Sequence, residues 1–296
     1  MKGLFFSSIG LLTVLFVSSC SSDGQDGEKK SIDKEIVDKD AALNTNFDGK
    51  IFSIPSPIQT ALLIKLVNAP FDETLLNPTE NVSNYTDEQK QALNLGIYGT
   101  DLGYAAIYEQ KSISMKYLSV VEKLTGELGL SKAFDKNFMS NFEKHADNQD
   151  SMMVVVSDAY KNADRYLKAS NRKATSALIL TGGWVESLYY ACELNKMKSN
   201  KKLVDRIGEQ KETLYTIIEI LEEYNKEGSN NDLIQEMKDL KLYFDKVGVD
   251  YIFVQPTTDA KNKTTTLRHK IVYSIATDIL NQISNKVESI RNKIIN

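Results

Sequence analysis

Apolar residues recur at every third or fourth position through most of this chain, which is the spacing that places them on one face of an α-helix. The clearest stripe runs from Leu93 to Tyr108. Just before it, the residues Thr86–Gln89 have the form of a capping box, which predicts that a helix begins there. No proline occurs between residues 85 and 244, so long uninterrupted helices are expected in this part of the chain.

Further helices are predicted from the same spacing and from the turn-forming residues that separate the apolar runs. Together they suggest a bundle of seven or eight helices. The predicted helices cover residues 58–67, 112–128, 131–147, 150–167, 173–196, 201–224 and 231–246. A last helix is predicted from a stripe of branched apolar side chains: Ile271, Ile275, Ile279, Ile283, Val287, Ile290 and Ile294.

One segment departs from the helical pattern. Val249–Gln255 is rich in β-branched and aromatic residues and is followed by a proline, which predicts a strand. Its partner is either Thr264–Leu267, across a polar loop, or Ile51–Ile54 near the start of the chain. The expected fold is therefore all-α, a multi-helix bundle forming a single domain over residues 47–296. A minor strand or hairpin is expected near the C-terminal end, at about 249–267.

The first residues have the composition of an export signal. Residues 1–19 combine a short basic start with an apolar stretch, and small residues precede Cys20. The apolar stretch from Leu4 to Val17 is too short to span a bilayer as a helix. The sequence Val17–Cys20 resembles the lipobox of bacterial lipoproteins. That resemblance implies cleavage before Cys20, diacylglycerol on its sulfur and an acylated amino terminus, so that lipid chains anchor the protein to a membrane.

The residues after Cys20 predict a tether. Residues 20–46 are polar and charged, with too few apolar side chains to fold alone, although a short helix around 34–43 is compatible with them. In Gram-negative lipoproteins, an aspartate directly after the cysteine retains the protein in the inner membrane. This chain has Ser21 and Ser22 there, which favours the outer membrane and leaves its periplasmic and surface faces both open.

Composition excludes several functions. The net charge is −4 and no basic stripe is present, which argues against a nucleic-acid partner. The only histidines are His145 and His269, and no spacing typical of zinc, di-iron or haem ligands occurs, so we expect no metal or cofactor. With Cys20 carrying lipid, Cys192 has no partner in the chain, and its spacing from Val185 and Leu188 favours a buried apolar role over a reactive thiol.

Two glycine-rich segments interrupt the helical pattern. Gly96, Gly99 and Gly103 lie in the first, and Gly182 and Gly183 lie in the second. Each glycine costs a helix about 1 kcal/mol relative to alanine. A helix face without side chains allows another backbone or a ligand to approach closely, so we expect these faces to serve one of those purposes.

An acid lies beside each glycine segment, on a face rich in aromatic residues. Asp101 falls on the apolar stripe of the first helix, and Glu186 follows Gly182 by one turn. If the faces meet, the two acids could share a ligand pocket with aromatic walls. The alternative, which we prefer, is tight helix packing with both acids satisfied by hydroxyl groups. The candidate pocket residues are Asp101, Tyr104, Tyr108, Trp184, Glu186 and Tyr190, with Tyr98 beside them.

The segments Tyr98–Tyr104 (YGTDLGY) and Thr181–Glu186 (TGGWVE) resemble those of a family of helical Bacteroidota lipoproteins, and the similarity extends from Pro55 to the C-terminus. The resemblance implies a Gram-negative envelope protein. It implies no activity, and no catalytic residue is assigned.

We therefore expect a non-catalytic, lipid-anchored binding or interaction module. It would either scaffold an envelope complex through a protein partner or hold a small ligand. The alternative is an envelope hydrolase that uses Asp101 and Glu186 on a glycan or peptide. Carboxyl groups in an open cleft would favour that alternative, whereas carboxyl groups closed inside packed helices would favour a structural role.

Overall fold

The structure is a computed structural model, and it describes residues 43–48, 50–54, 57–133, 140, 142, 144, 149–267 and 269–296. The predicted signal, Cys20 and the tether up to residue 42 lie outside the described residues. Most of the helix predicted over 131–147, including His145, lies outside them as well. Residues Ser131–Ala133 at its start form a short 3₁₀ turn.

The described chain is an all-α bundle with minor β elements, as predicted. None of the described helices combines the length and apolar character needed to cross a membrane. The helices are α1 (Pro57–Leu66), α2 (Glu88–Ile107), α3 (Lys111–Glu127), α4 (Gln149–Ala169), α5 (Lys173–Met197), α6 (Lys201–Tyr224), α7 (Asn231–Phe244) and α8 (Thr277–Ile295). The strands are β1 (Leu43–Phe47), β2 (Lys50–Ile54), β3 (Gly248–Ile252), β4 (Thr257–Asp259), β5 (Thr264–Thr266) and β6 (Lys270–Ser274). They form the antiparallel pairs β1–β2, β3–β6 and β4–β5.

The strand predicted near residue 250 is present, but both predicted partners are wrong. β3 pairs with β6, so that Tyr251 lies opposite Ile271. Thr264–Thr266 pairs instead with β4 in a separate, shorter hairpin. The first two positions of the predicted C-terminal stripe, Ile271 and Ile275, therefore precede α8. Isoleucine suits a strand as well as a helix, and its spacing of four residues continued across the boundary between the two.

The start of α2 differs by one residue from the predicted capping box. The N-cap is Asp87 rather than Thr86, and its carboxylate accepts a hydrogen bond of 2.8 Å from the backbone N–H of Lys90. Aspartate is among the most favourable N-cap residues, so it takes this role directly. At the other end of the helix, the Lys65 ammonium donates to the carbonyl of Ile107 at 2.8 Å.

The hairpin β1–β2 begins inside the segment predicted to be a tether, since β1 starts at Leu43 rather than after residue 46. Phe47 at its end is fully buried. The turn residue Asp48 accepts a hydrogen bond of 2.5 Å from the Tyr224 hydroxyl and forms an ion pair with Lys173. The folded domain therefore includes this hairpin from Leu43 onward, and the hairpin is attached to the start of α5 and the end of α6.

Helices α2 and α5 form the centre of the bundle and pack against each other more extensively than any other pair. Their backbones touch. A Cβ atom added to Gly182 would lie 1.9 Å from the carbonyl oxygen of Leu93, and one added to Gly96 would lie 2.1 Å from that of Ile179. Only glycine fits at such a crossing. The two central helices are consequently buried over most of their length, and the amphipathic helices surround them.

Candidate functional site

A buried ion pair joins the central helix α5 to the last helix, α8. Arg291 of α8 donates to both oxygens of the Glu186 carboxylate on α5, at 2.7 Å from Nε and 2.8 Å from Nη2. This two-point geometry is the strongest that a guanidinium and a carboxylate can adopt. The same Nη2 also donates to the carbonyl of Leu75 at 2.8 Å, and the guanidinium lies 4.2 Å from the ring centre of Tyr189.

Asp101 of α2 completes the cluster. Its carboxyl accepts hydrogen bonds from the Tyr190 hydroxyl and, at 3.1 Å, from the backbone N–H of Asn77. Burial raises the pKa of Asp101 well above its usual value, and the nearby charge of Glu186 raises it further. With a proton on Asp101, the two acids and the Arg291 guanidinium carry no net charge, which is the state that a buried site favours.

The loop between α1 and α2 covers this cluster. Asn77 is completely buried there. In addition to its bond to Asp101, its side-chain amide donates to the Tyr85 hydroxyl at 3.1 Å, and its carbonyl accepts from the Tyr117 hydroxyl at 2.9 Å. Tyr98 fixes the next residue of the loop, since its hydroxyl donates to the carbonyl of Pro78 at 2.8 Å. The loop is therefore attached to α2 and α3 on both sides of the cluster.

The C-terminal end of α8 is held by the same group of residues. The last carbonyl groups of a helix have no partner within it. Here the Asn94 amide donates to the carbonyl of Ile294 at 3.0 Å, and the Tyr85 hydroxyl donates to that of Ile295 at 3.1 Å. Side chains on and just before α2 thus cap the last helix of the chain.

Five of the predicted pocket residues come together. Asp101, Glu186 and Tyr190 form the cluster, and the Tyr104 ring lies 4.6 Å from that of Tyr190. Tyr108 packs edge-on against Tyr104, with ring centres 5.1 Å apart, and its hydroxyl donates to the carbonyl of Ala69 at 2.6 Å. The aromatic side chains therefore fill the space around the acids, where the pocket hypothesis placed a ligand.

Trp184 does not belong to this group, and its predicted place in the pocket is wrong. Its indole N–H donates to the side-chain oxygen of Gln210 on α6 at 2.9 Å. Trp184 lies two positions before Glu186, and side chains at that spacing point to different faces of a helix. The spacing alone could have excluded it.

Three residues of the cluster escaped the sequence analysis: Asn77, Asn94 and Arg291. A signal was available for Arg291, because it lies four residues after Val287 and three before Ile294 on the apolar face of α8. A charged residue at such a position needs a buried partner. No comparable signal exists for Asn77, which lies in a loop.

The cluster is closed to solvent. Asp101 and Glu186 both have an exposed fraction of 0%. A substrate could not reach either carboxyl group without displacing residues that now pack over it. The described residues also contain no group of three or more histidine, cysteine, aspartate or glutamate side chains arranged to hold a metal ion.

The remaining residues that the sequence analysis singled out are buried or packed against neighbouring helices. A Cβ atom on Gly99 would lie 2.5 Å from the Tyr160 hydroxyl oxygen of α4, so Gly99 faces α4 whereas Gly96 faces α5. Gly183 is less crowded, with its nearest neighbours at 3.4 Å, and Gly103 is buried. Cys192 is buried, as predicted, and burial raises the pKa of its thiol to about 12, which makes it unreactive at neutral pH.

A groove of about 520 Å³ opens on the surface between the starts of α2 and α7 and the end of α8. Its walls combine apolar and charged side chains. Asn230, the N-cap of α7, adjoins it, and the side-chain oxygen of this buried residue has no partner within the described part of the chain. The apolar residues of the groove are Leu93, Leu233, Ile290 and Ile294, and the charged ones are Asp87, Lys90, Asp232, Glu236 and Lys293.

The most unusual surface is a long hairpin, residues 248–274, which we call the arm. Its base is the pair β3–β6 and its tip is the pair β4–β5. Of the ten large apolar side chains exposed among the described residues, seven lie on the arm. They are Val249, Tyr251, Ile252, Phe253, Val254, Leu267 and Ile271.

Comparisons with other proteins add nothing to these observations. No protein-family model matches the chain, and no curated protein or solved structure matches it either.

Proposed function

We propose that this protein is a non-catalytic, lipid-anchored protein of the cell envelope that acts as an interaction module, with the arm as its contact surface. The anchor is Cys20 and the membrane is the outer membrane, as the lipobox and the residues after it suggest. The observation that carries the proposal is the concentration of exposed apolar side chains on the arm.

A patch of exposed apolar side chains on a folded protein often marks a contact site. Each square ångström of it that leaves water on binding contributes about 25 cal/mol. Tyr251 is 61% exposed and Phe253 is 66% exposed, and both belong to the residue types that supply most of the binding energy in protein interfaces. Single exposed apolar residues need no explanation, but a contiguous group of them does.

The closed cluster supports the absence of catalysis. The hydrolase alternative needs one carboxylic acid and one carboxylate in contact with a substrate. Instead, Glu186 is bound at both oxygens by Arg291, and Asp101 is bound by Tyr190 and Asn77. These bonds use the acids to hold three helices and a loop together.

The anchor is tested by growing the source bacterium with radiolabelled palmitate. We expect label on the protein and recovery of the protein with outer membranes, and loss of both in Cys20→Ser. Label retained by Cys20→Ser would contradict the anchor.

The contact surface is tested by photo-crosslinking in intact cells. A crosslinking amino acid at Tyr251 is compared with one at Leu242, which is equally exposed, at 62%, but lies on α7. We expect crosslinks to an envelope protein, a second copy included, from position 251 only. Equal crosslinking at both positions would remove the arm as the contact surface.

The groove makes a small-ligand binder the second candidate. Its volume of about 520 Å³ lies within the range of roughly 300–1,000 Å³ that is usual for small-molecule sites. Native mass spectrometry of gently extracted protein would show a retained small mass, and Ser229→Trp, at the exposed rim, would remove it. A retained mass that persists in Ser229→Trp would place the ligand elsewhere.

A further inference from the structure

We propose that the groove between α2, α7 and α8 binds a short peptide with free ends, two or three residues long and carrying an apolar side chain. This ligand rests on the second candidate function, in which the groove is a site for a small molecule. The arm plays no part in it.

Most of the charges in the groove are already satisfied by the chain itself. Five charged residues line it. Glu236 on α7 and Lys293 on α8 form an ion pair at 2.5 Å. The Asp87 carboxylate caps α2 by accepting a hydrogen bond of 2.8 Å from the backbone N–H of Lys90. These three side chains therefore offer little to a ligand.

One cation and one anion remain in the groove. The Lys90 ammonium on α2 and the Asp232 carboxylate on α7 belong to exposed residues. Neither group has a hydrogen bond or an ion pair within the part of the chain that the structure describes. A molecule with one ammonium and one carboxylate complements both charges, and this is the charge pattern of an amino acid or of a peptide with free ends.

The first turn of α7 adds two backbone donors. Asn230, its N-cap residue, makes no side-chain bond to the helix, and its buried side-chain oxygen has no partner among the described residues. The N–H groups of Asn231 and Ile234 are bound by backbone carbonyls. Those of Asp232 and Leu233 have no partner within the described chain, and both residues line the groove. They can donate to a carbonyl oxygen of the ligand.

The two walls of the groove suit the two ends of a peptide. The Asp232 carboxylate and the two N–H groups all belong to the first turn of α7, and in a peptide the ammonium group and the first carbonyl group belong to the same residue. The first residue of the ligand would therefore bind α7, with its ammonium at Asp232 and its carbonyl oxygen at the N–H groups. The carboxylate at the other end would bind Lys90 on α2.

The remaining wall of the groove is apolar and calls for an apolar side chain on the ligand. Four branched aliphatic residues line it, none of them more than 9% exposed: Leu93, Leu233, Ile290 and Ile294. Because these residues are buried and the two unpaired charges are exposed, the apolar wall is the deeper one. The volume of about 520 Å³ is within the range of roughly 300–1,000 Å³ used by small molecules, and a dipeptide or tripeptide is a ligand of this class.

The test is isothermal titration calorimetry of the full chain in mild detergent with the dipeptide alanyl-leucine. We expect one site per chain with a Kd on the order of 10–100 µM, and no binding in Ser229→Trp. Three further probes each lack one recognised group: N-acetylalanyl-leucine lacks the ammonium, alanyl-leucinamide lacks the carboxylate, and alanyl-glycine lacks the apolar side chain. Each should bind at least about tenfold more weakly than alanyl-leucine.

Two variants assign each charge to one end of the peptide. Lys90→Gln should weaken the binding of alanyl-leucine about tenfold but leave that of alanyl-leucinamide, which has no carboxylate, unchanged. Asp232→Asn should weaken alanyl-leucine to a similar extent and leave N-acetylalanyl-leucine unchanged. The matched control is Lys116→Gln, which removes the same charge from an exposed position on α3 and should change neither.

Equal affinity for all four probes overturns the peptide, as does equal weakening by Lys90→Gln and Lys116→Gln. Free leucine that binds as tightly as alanyl-leucine would overturn it in favour of a single amino acid. Absence of binding by every probe would also overturn it. If native mass spectrometry then still shows a small mass that Ser229→Trp removes, the groove remains a site for another class of ligand. Crosslinking at position 251 tests the arm separately.

Discussion

The buried cluster and the arm reverse the usual distribution of side chains in opposite ways. The cluster places two acids and a guanidinium inside the bundle, and the arm places seven large apolar side chains in water. In the cluster, each charged group finds its partners within the chain. On the arm, seven large apolar side chains stay exposed, although the Tyr251 ring stacks on that of His269. The comparison teaches that a buried charge or an exposed apolar side chain indicates an external partner only when the same chain does not supply its contacts.

The largest expected effect comes from breaking the cluster. Arg291→Met keeps the length of the side chain but leaves the Glu186 carboxylate buried without its counter-ion, which should lower the free energy of unfolding by about 3–5 kcal/mol. Urea denaturation measures it. The double variant Glu186→Met, Arg291→Met should lose less than the single variant, because no unpaired charge remains. A loss below about 1 kcal/mol in Arg291→Met would mean that the pair is hydrated.

The next effect concerns the helix crossing that positions Glu186 beside Asp101. Gly182→Ala would put a Cβ atom 1.9 Å from the carbonyl oxygen of Leu93, so we expect a loss of about 1–3 kcal/mol or more from overpacking. The matched control is Gly126→Ala in α3, where a Cβ atom meets nothing within 4 Å. It should stabilise by about 0.4–1 kcal/mol. Equal thermal unfolding temperatures for the two variants would contradict the close crossing.

A smaller effect is expected in how the free energy of unfolding changes with pH, through Asp101 in the cluster. Because the pKa of Asp101 is raised on folding, the native state binds a proton that the unfolded chain releases above about pH 4. The stabilisation from this proton is complete below the pKa that Asp101 has in the unfolded chain. It is lost as pH rises toward the pKa that Asp101 has in the folded chain, by about 1.4 kcal/mol per pH unit. Asparagine does not titrate. The stability advantage of the native protein over Asp101→Asn should therefore narrow as pH rises.

Urea denaturation of both proteins between about pH 5 and pH 8 measures this difference. Acids whose pKa is lowered on folding, such as Glu88 and Glu236, act with the opposite sign but are present in both proteins and cancel. A gap that stays constant with pH would mean that Asp101 is ionised in the native state.

The smallest effect on stability is expected on the arm. Tyr251→Lys should change the free energy of unfolding by less than about 0.5 kcal/mol, as is usual for exposed positions, while it weakens contact with the partner of the arm. Thermal unfolding of the purified chain measures it. A loss comparable to that of Arg291→Met would mean that the arm is part of the core, and the contrast between the two regions would disappear.

The sequence predicted the helices well because their apolar spacing is local information. It predicted the existence of β3 for the same reason, but not its partner, since pairing depends on which of several β-prone segments closes the hairpin. The hairpin β4–β5 occupies the nearer candidate, and this moves the pairing to Lys270–Ser274.

In the candidate site, too, the local sequence predicted some features and not others. Glycine and acid spacing suggested that Asp101 and Glu186 lie on helix faces able to meet. The partners that decide their role, Asn77 and Arg291, come from a loop and from a helix more than 100 residues away. No local pattern joins such distant residues, so the sequence favoured packing over a pocket without identifying the groups that bind the two acids.

The attachment of α8 to the start of the domain has a consequence for biosynthesis. A ribosome completes the chain from its N-terminus, so Glu186 and the loop around Asn77 exist before Arg291 does. Until the last turn of α8 emerges, Glu186 lacks its counter-ion, and Asn94 and Tyr85 lack the carbonyl groups that they bind. A chain truncated by even a few residues would carry these unmet groups and unfold more readily, which exposes it to proteolysis. Helix α8 therefore supplies the missing partners of groups that precede it by 105 to 210 residues.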